Sequence, residues 1–188
     1  MKPWVHLFVS HYGTVGPCCL APWDADKALG DINRNTIQEI WNGSEMKDLR
    51  TKMLKDQKDN RCKQCYQSEK VGLKSTRQMT NALYAHKIDW VDSTQNNGFS
   101  KESKPIFWDL RISNLCNFKC RICGHHSSSQ WYSDAKELDL ISHETKVHRG
   151  PKDFDLLMKQ LEFVLPDLEE IYFAGGEPLI MEEHYAIL

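Results

Sequence analysis

The seven cysteines of this 188-residue chain fall into two tight groups, at positions 18, 19, 62 and 65 and at positions 116, 120 and 123. An odd count in short clusters is unlike the even, dispersed pattern of a disulfide framework. In a reducing compartment, clustered thiols read as metal or cluster ligands. The later group, Cys116-Asn117-Phe118-Lys119-Cys120-Arg121-Ile122-Cys123, is a CxxxCxxC run. A cubane iron–sulfur cluster held by three thiolates has one iron without a protein ligand, whereas an electron-carrying cluster is usually closed by four. An open iron lets a substrate or cosubstrate coordinate. Part of a zinc site is the alternative for such a run.

Composition excludes several other classes. Net charge is −2 and the pI is near 6.4, which gives no electrostatic footprint for nucleic acid. Mean hydropathy is −0.57, and no apolar run approaches the ~20 residues of a membrane helix. The start lacks the long apolar region and small-residue cleavage site of a signal peptide. A cytoplasmic protein with no membrane and no nucleic-acid partner is expected. Apolar content of 40% suffices for a packed core.

The chain reads as two regions. Residues 91–104, rich in Ser, Asn and charge, form a polar linker between residues 1–90 and residues 105–188. In the first region, a strand is expected over His6–Tyr12 and a short strand or turn at Gly30–Asn33. Thr36 and Glu39 form a capping box, and Asn42-Gly43 ends that helix. Ser44 caps a second helix carrying Met46, Leu49, Met53 and Leu54, and a third runs from about Ser75 to Ala85. Acids and lysines between 45 and 60 read as a solvated helix face. The tryptophans Trp23, Trp41, Trp90 and Trp131 read as core. In the second region, a strand over Ile106–Ile112 leads into the cysteine run. Ser127–Leu138 is expected to be helical, and Asp153–Leu165 is an amphipathic helix stopped by Pro166. Glu170–Ala174 reads as a buried parallel strand. Asp109 and Arg111 are expected to pair with each other or lie at the surface, and His125-His126 to face solvent in a loop. The fold class is α/β: an α+β N-terminal module followed by a βαβ unit.

The cysteine run, with bulky Ile122 before its third cysteine, resembles the signature of the radical S-adenosylmethionine (SAM) superfamily. Gly175-Gly176-Glu177-Pro178-Leu179 resembles that family's Gly-Gly-Glu segment at the end of the second strand. The resemblance implies the first βαβ part of a partial (β/α) barrel over 105–188. It implies a [4Fe–4S] cluster on Cys116, Cys120 and Cys123, and SAM held through Gly175, Gly176, Glu177 and Pro178. In the family, reductive cleavage of SAM gives a 5′-deoxyadenosyl radical that abstracts hydrogen from substrate, while the protein positions the reactants and excludes water. An electron donor such as a flavodoxin or ferredoxin is implied as a partner. The catalytic residues and the substrate are unassigned, with a peptide the leading class by analogy. The sites are expected at the C-terminal ends of the strands.

The earlier cysteines sit in a second resemblance, spanning roughly residues 6 to 80. Cys18-Cys19-Leu20-Ala21-Pro22, Gly30-Asp31-Ile32, Ile37-Gln38-Glu39-Ile40-Trp41-Asn42, Arg50 and Cys62-Lys63-Gln64-Cys65-Tyr66 resemble the twitch or SPASM-type auxiliary-cluster domain. That domain implies a second [4Fe–4S] cluster, on Cys18, Cys19, Cys62 and Cys65. The order departs from the family, where the module usually follows the barrel. Ligation by both members of the Cys18-Cys19 pair is geometrically awkward, and either could be a buried, inert core residue. A structural zinc at these four thiols, or a non-catalytic iron–sulfur module, remains the alternative. A complete barrel takes ~250 residues, far more than follow Ser103, so the chain is expected to be the N-terminal fragment of a longer enzyme.

Overall fold

The computed structural model describes residues 1–22 and 27–188; Trp23 lies outside the described residues. Strands β1 (His6–Val9), β2 (Thr14–Gly16), β3 (Gly30–Asp31), β4 (Phe107–Leu110) and β5 (Glu170–Phe173) form one open mixed sheet in the order β3-β2-β1-β4-β5. The fold is mixed α/β, and the sheet does not close into a barrel among the described residues. β2 is antiparallel to both β1 and β3, whereas β1, β4 and β5 run parallel. The two halves of the sequence therefore share a sheet. His6 lies opposite Phe107 and Phe8 opposite Asp109 in one pairing, and Asp109 lies opposite Tyr172 in the next.

Because side chains alternate across a strand, this register sorts two faces. Leu7, Val9, Trp108 and Leu110 enter the main core. That face is covered by helices α2 (Ile37–Trp41), α3 (Ser44–Leu54) and α8 (Phe154–Leu161), through Ile37, Ile40, Trp41, Met46, Leu49, Leu157 and Leu161. The opposite, inner face carries a different row, Phe8, Asp109 and Tyr172. Asp109 is buried and Tyr172 is exposed at the edge strand. β5 departs from the fully buried strand expected: Glu170 and Tyr172 are exposed, and Ile171 and Phe173 are half-buried. Its apolar run packs one face only, because β5 is the outer strand of this sheet.

Helix starts follow local chemistry. The Thr36 hydroxyl accepts from Glu39 N, and Glu39 Oε2 accepts from Thr36 N at 2.8 Å. Ser75 and Gln78 make the same reciprocal pair before helix α5 (Thr76–Leu83). Asp153 caps α8 through Leu156 N. α3 departs from expectation: Gly43 is its N-cap, with no side-chain cap bond, and Ser44 is its first residue. Where Ser127–Leu138 is expected to be helical, the chain forms a 3-10 turn at Ser129–Trp131 followed by a short helix, α7 (Tyr132–Glu137).

The polar stretch after helix α6 (Ile88–Asp92) is irregular but fastened to the module. Ser100 and Ser103 are buried. Asn42 exchanges hydrogen bonds with the Ser100 backbone at 3.1 and 3.2 Å, and the Trp41 indole donates to Ser103 O at 2.9 Å. Arg50, fully buried, holds the same junction. Its guanidinium donates to Pro3 O and Asn42 Oδ1 at 2.9 Å and to Ser103 Oγ at 3.4 Å, and lies over the Trp41 ring. Burial lowers its pKa to about 9.

Candidate metal centres

The C-terminal ends of β1, β4 and β5 lie at one edge of the sheet, where the cysteine run and the glycine pair meet. The chain leaves β4 into an irregular loop pinned by Asn114. The Asn114 side chain donates to His125 O and Lys146 O at 3.2 Å and accepts from His148 N at 2.7 Å. One residue thus closes the span from the cysteine run to residue 148. Cys116 is buried. Its N–H donates to Ser129 Oγ at 3.1 Å, its carbonyl accepts from Gln130 Nε2 at 3.0 Å, and its sulfur accepts from Phe118 N at 3.3 Å. Cys120 is exposed and Cys123 half-buried. Burial raises the Cys123 thiol, and the nearby Cys120 and Cys116 raise it further.

Cys116 and Cys120 both act on the Cys123 thiol, and three thiolates are the donor set of a cluster with one iron left open. Among the described residues, no three His, Cys, Asp or Glu groups stand as a closed metal cage. Closure of the ligands would accompany binding and the release of their protons. Trp131, expected in the core, is instead part of this loop. It is half-buried, its indole donates to Cys120 O at 3.0 Å, and Lys119 lies over its ring. Ile122 is 98% exposed.

Gly175 and Gly176 have φ of +77° and +61°, a region that favours glycine. Both are packed against the β4 exit. A Cβ on Gly176 would stand 2.1 Å from Leu115 O, and one on Gly175 3.0 Å from the Arg111 Cβ. Gly176 N donates to Ser127 O at 2.9 Å and Glu177 N to Leu115 O at 2.8 Å. The glycines thus allow close approach to the cysteine loop itself, a role the sequence pattern alone did not indicate. Glu177 Oε1 accepts from Leu179 N at 3.1 Å, capping the turn Pro178–Ile180.

On the inner face beneath this edge, Arg111 Nε donates to Asp109 Oδ1 at 3.3 Å, the ion pair expected from sequence. The Asp109 carboxyl is raised by burial, against the pull of Arg111 and a hydrogen bond from the Cys19 thiol. His125 is half-buried and His126 exposed, as expected of a loop pair.

The four early cysteines divide. Cys18, Cys62 and Cys65 line a cavity of about 880 Å³ between α1 (Lys2–Val5), α3, α4 (Lys63–Lys70) and the start of α5. Burial, then the nearness of Cys18, Asp59 and Cys65, pushes the Cys62 thiol up to about 12. Burial also raises Cys18, with Lys2 opposing. Cys62 and Cys65 are held in place by Asp59, which caps the turn Asn60–Cys62. Asp59 also pairs with Arg61 at 2.8 Å, and the Arg61 guanidinium holds the Asp59 carboxyl down to about 2. Asp59 is buried rather than part of a solvated face. Cys19 does not line the cavity. Burial raises its thiol, with Asp109 raising it further and Arg111 opposing.

Comparison with known families bears on this module. Residues 1–66 match the SPASM family, an iron–sulfur cluster-binding domain. The match takes in β1 to β3, α2, α3 and all four early cysteines, and it agrees with the resemblance drawn from sequence. SPASM domains are typical of radical SAM proteins, and the match points to iron–sulfur binding by the N-terminal module. No curated protein and no solved structure matches the chain significantly. Among the described residues, no helix is long and apolar enough to cross a membrane.

Proposed function

We propose that this chain is the cluster-bearing part of a radical SAM enzyme, acting in the cytoplasm on a peptide or other substrate, with electrons supplied by a flavodoxin- or ferredoxin-like donor. The observation that carries this reading is the docking of the glycine segment on the cysteine loop: Glu177 N on Leu115 O, one residue from Cys116, and Gly176 N on Ser127 O. An electron-transfer module has no need of that second segment. In this reading Cys116, Cys120 and Cys123 hold a [4Fe–4S] cluster with one iron open, and Gly175 to Pro178 seat the methionine end of SAM. Together, bound cluster and SAM supply one-electron reductive cleavage of SAM and hydrogen-atom abstraction.

The chain's own residues do the positioning. Ser129 and Gln130 hold the Cys116 backbone, and Asn114 holds the loop closed. The Phe118 N–H donates to the Cys116 sulfur, and such a bond would tune the potential of a cluster held there. The half-buried Glu177 carboxylate suits an ammonium partner. At the N-terminal module, the early cysteines hold an auxiliary cluster.

The test is anaerobic reconstitution of the chain with iron and sulfide, beside the triple variant Cys116→Ala, Cys120→Ala, Cys123→Ala. About eight irons per chain in the parent and about four in the variant are expected, one cubane per region. Equal iron in both would remove the C-terminal site from the account. Zinc retained in place of the variant's iron would turn the N-terminal module into a structural zinc site.

A further inference from the structure

The N-terminal module is fastened to the cysteine loop through Asn33. This residue, half-buried just after β3, donates through Nδ2 to Gly150 O at 2.9 Å and accepts at Oδ1 from Lys152 N at 2.8 Å. Its N–H and Nδ2 both donate to Asp31 Oδ1, at 2.8 and 3.1 Å, so the partners fix the orientation of the amide. Gly13 makes room for the contact: a Cβ there would stand 2.2 Å from Asn33 Nδ2 and 2.8 Å from Gly150 O. The segment so held, residues 148–152, is a strap along the β4 exit. Gly150 N donates to Ile112 O at 2.7 Å, and a Cβ on Gly150 would stand 2.5 Å from Ser10 O, just past β1. Ser113 Oγ donates to His148 O at 2.7 Å, and His148 N donates to Asn114 Oδ1 at 2.7 Å. The bonds continue to the first cysteine: Ser129 N donates to Asn114 O at 2.8 Å, and Ser129 Oγ accepts from Cys116 N. The glycine segment grips the same stretch of backbone, with Glu177 N on Leu115 O.

We propose that Asn33 is a positioning residue for the C-terminal site: by clamping the strap it holds the β4 exit, and with it Cys116 and the glycine segment, in register. The role in seating SAM rests on the radical SAM reading, whereas the clamp rests on the contacts alone. Without the Asn33 amide, Gly150 O and Lys152 N lose their partner in the N-terminal module, and the strap keeps only its bonds to the β4 exit. Strap and exit can then open together as a local unit while the main core stays folded. A displacement of about 1 Å in a positioned group is enough to weaken a site. Asn33 lies within the residues that match the SPASM family, so the module serves the C-terminal site in addition to binding iron and sulfide of its own.

The experiment first takes the metal-free chain and follows the alkylation rate of each cysteine by mass spectrometry. Cys116 and Cys65 are equally buried, each 7% exposed, so Cys65 reports global opening. Asn33→Ala should speed alkylation of Cys116 by about tenfold, the scale of two lost hydrogen bonds, and leave Cys65 unchanged. Asn33→Asp, of the same shape but with no donor for Gly150 O, should do the same. In the reconstituted chain, Asn33→Ala should keep the parent's iron and need about tenfold more SAM to reach half of the EPR change. Parent rates at Cys116 in both variants, or rates that rise equally at Cys65, would overturn the clamp. A released Cys116 with an unchanged SAM requirement would overturn the positioning role. A parent chain whose EPR signal ignores SAM would instead overturn the radical SAM reading, and alkylation alone would then decide the clamp.

Discussion

Replacing Gly176 with alanine will destabilise the chain by about 3 kcal/mol or more and empty the C-terminal site, while leaving the N-terminal site loaded. A left-handed backbone costs an alanine roughly 1–2 kcal/mol. The larger effect is steric, because the new methyl would stand 2.1 Å from Leu115 O. Something must move, and the atom in the way is backbone adjoining Cys116. The Glu177 N to Leu115 O bond would be lost with it, at a further ~1 kcal/mol. Gly72 supplies the control: its φ is +80°, and nothing lies within 4 Å of its added Cβ. Gly72→Ala should therefore show the backbone penalty alone, about 1 kcal/mol, with iron unchanged. Chemical denaturation and iron per chain read both variants. A Gly176→Ala chain with full iron and a loss below about 1 kcal/mol would show that the glycine is not what seats the loop.

Arg50→Ala is expected to cost about 4 kcal/mol, on the scale of a large buried side chain lost together with its hydrogen-bond network. The guanidinium is fully buried and ties α1, α2 and the stretch after α6 together through Pro3 O, Asn42 Oδ1 and Ser103 Oγ. Truncation takes the donor from Pro3 O and opens a cavity beside Trp41, while Asn42 Oδ1 keeps Ser100 N and Ser103 Oγ keeps the Trp41 indole. For a chain of this size, that corresponds to a melting temperature lower by roughly 10 °C. Arg50→Lys should recover less than half, because an ammonium cannot present the planar fork that reaches three acceptors. Full stability in Arg50→Lys would mean that charge, rather than geometry, matters at this junction.

Local chemistry was the most legible part of the sequence. The capping box at Thr36 needs only residues three apart, so it reads directly, and the helices beginning near Ser75 and Asp153 read from their spacing. The three parallel strands announce themselves by short apolar runs, and the thiols by spacing. Nothing within reach of His6 in sequence indicates that β1 will lie beside β4, because that pairing joins segments about a hundred residues apart. The divergence of Cys18 and Cys19 is equally hidden. Adjacent residues of one type carry the same pattern signal, and only the turn after β2 puts Cys18 but not Cys19 in the cavity wall. Asn114 and Trp131 serve the cysteine loop through backbone contacts that leave no periodic trace. β5 reads as a buried strand because its apolar run says nothing about how many neighbours it has.

The central claim is that the C-terminal site binds SAM at a three-cysteine cluster. The most direct measurement is the EPR spectrum of the reduced, reconstituted chain before and after SAM is added. The account predicts a change in the signal on adding SAM, and none in the Cys116→Ala, Cys120→Ala, Cys123→Ala variant. A chain that holds about eight irons yet gives the same spectrum with and without SAM would contradict it.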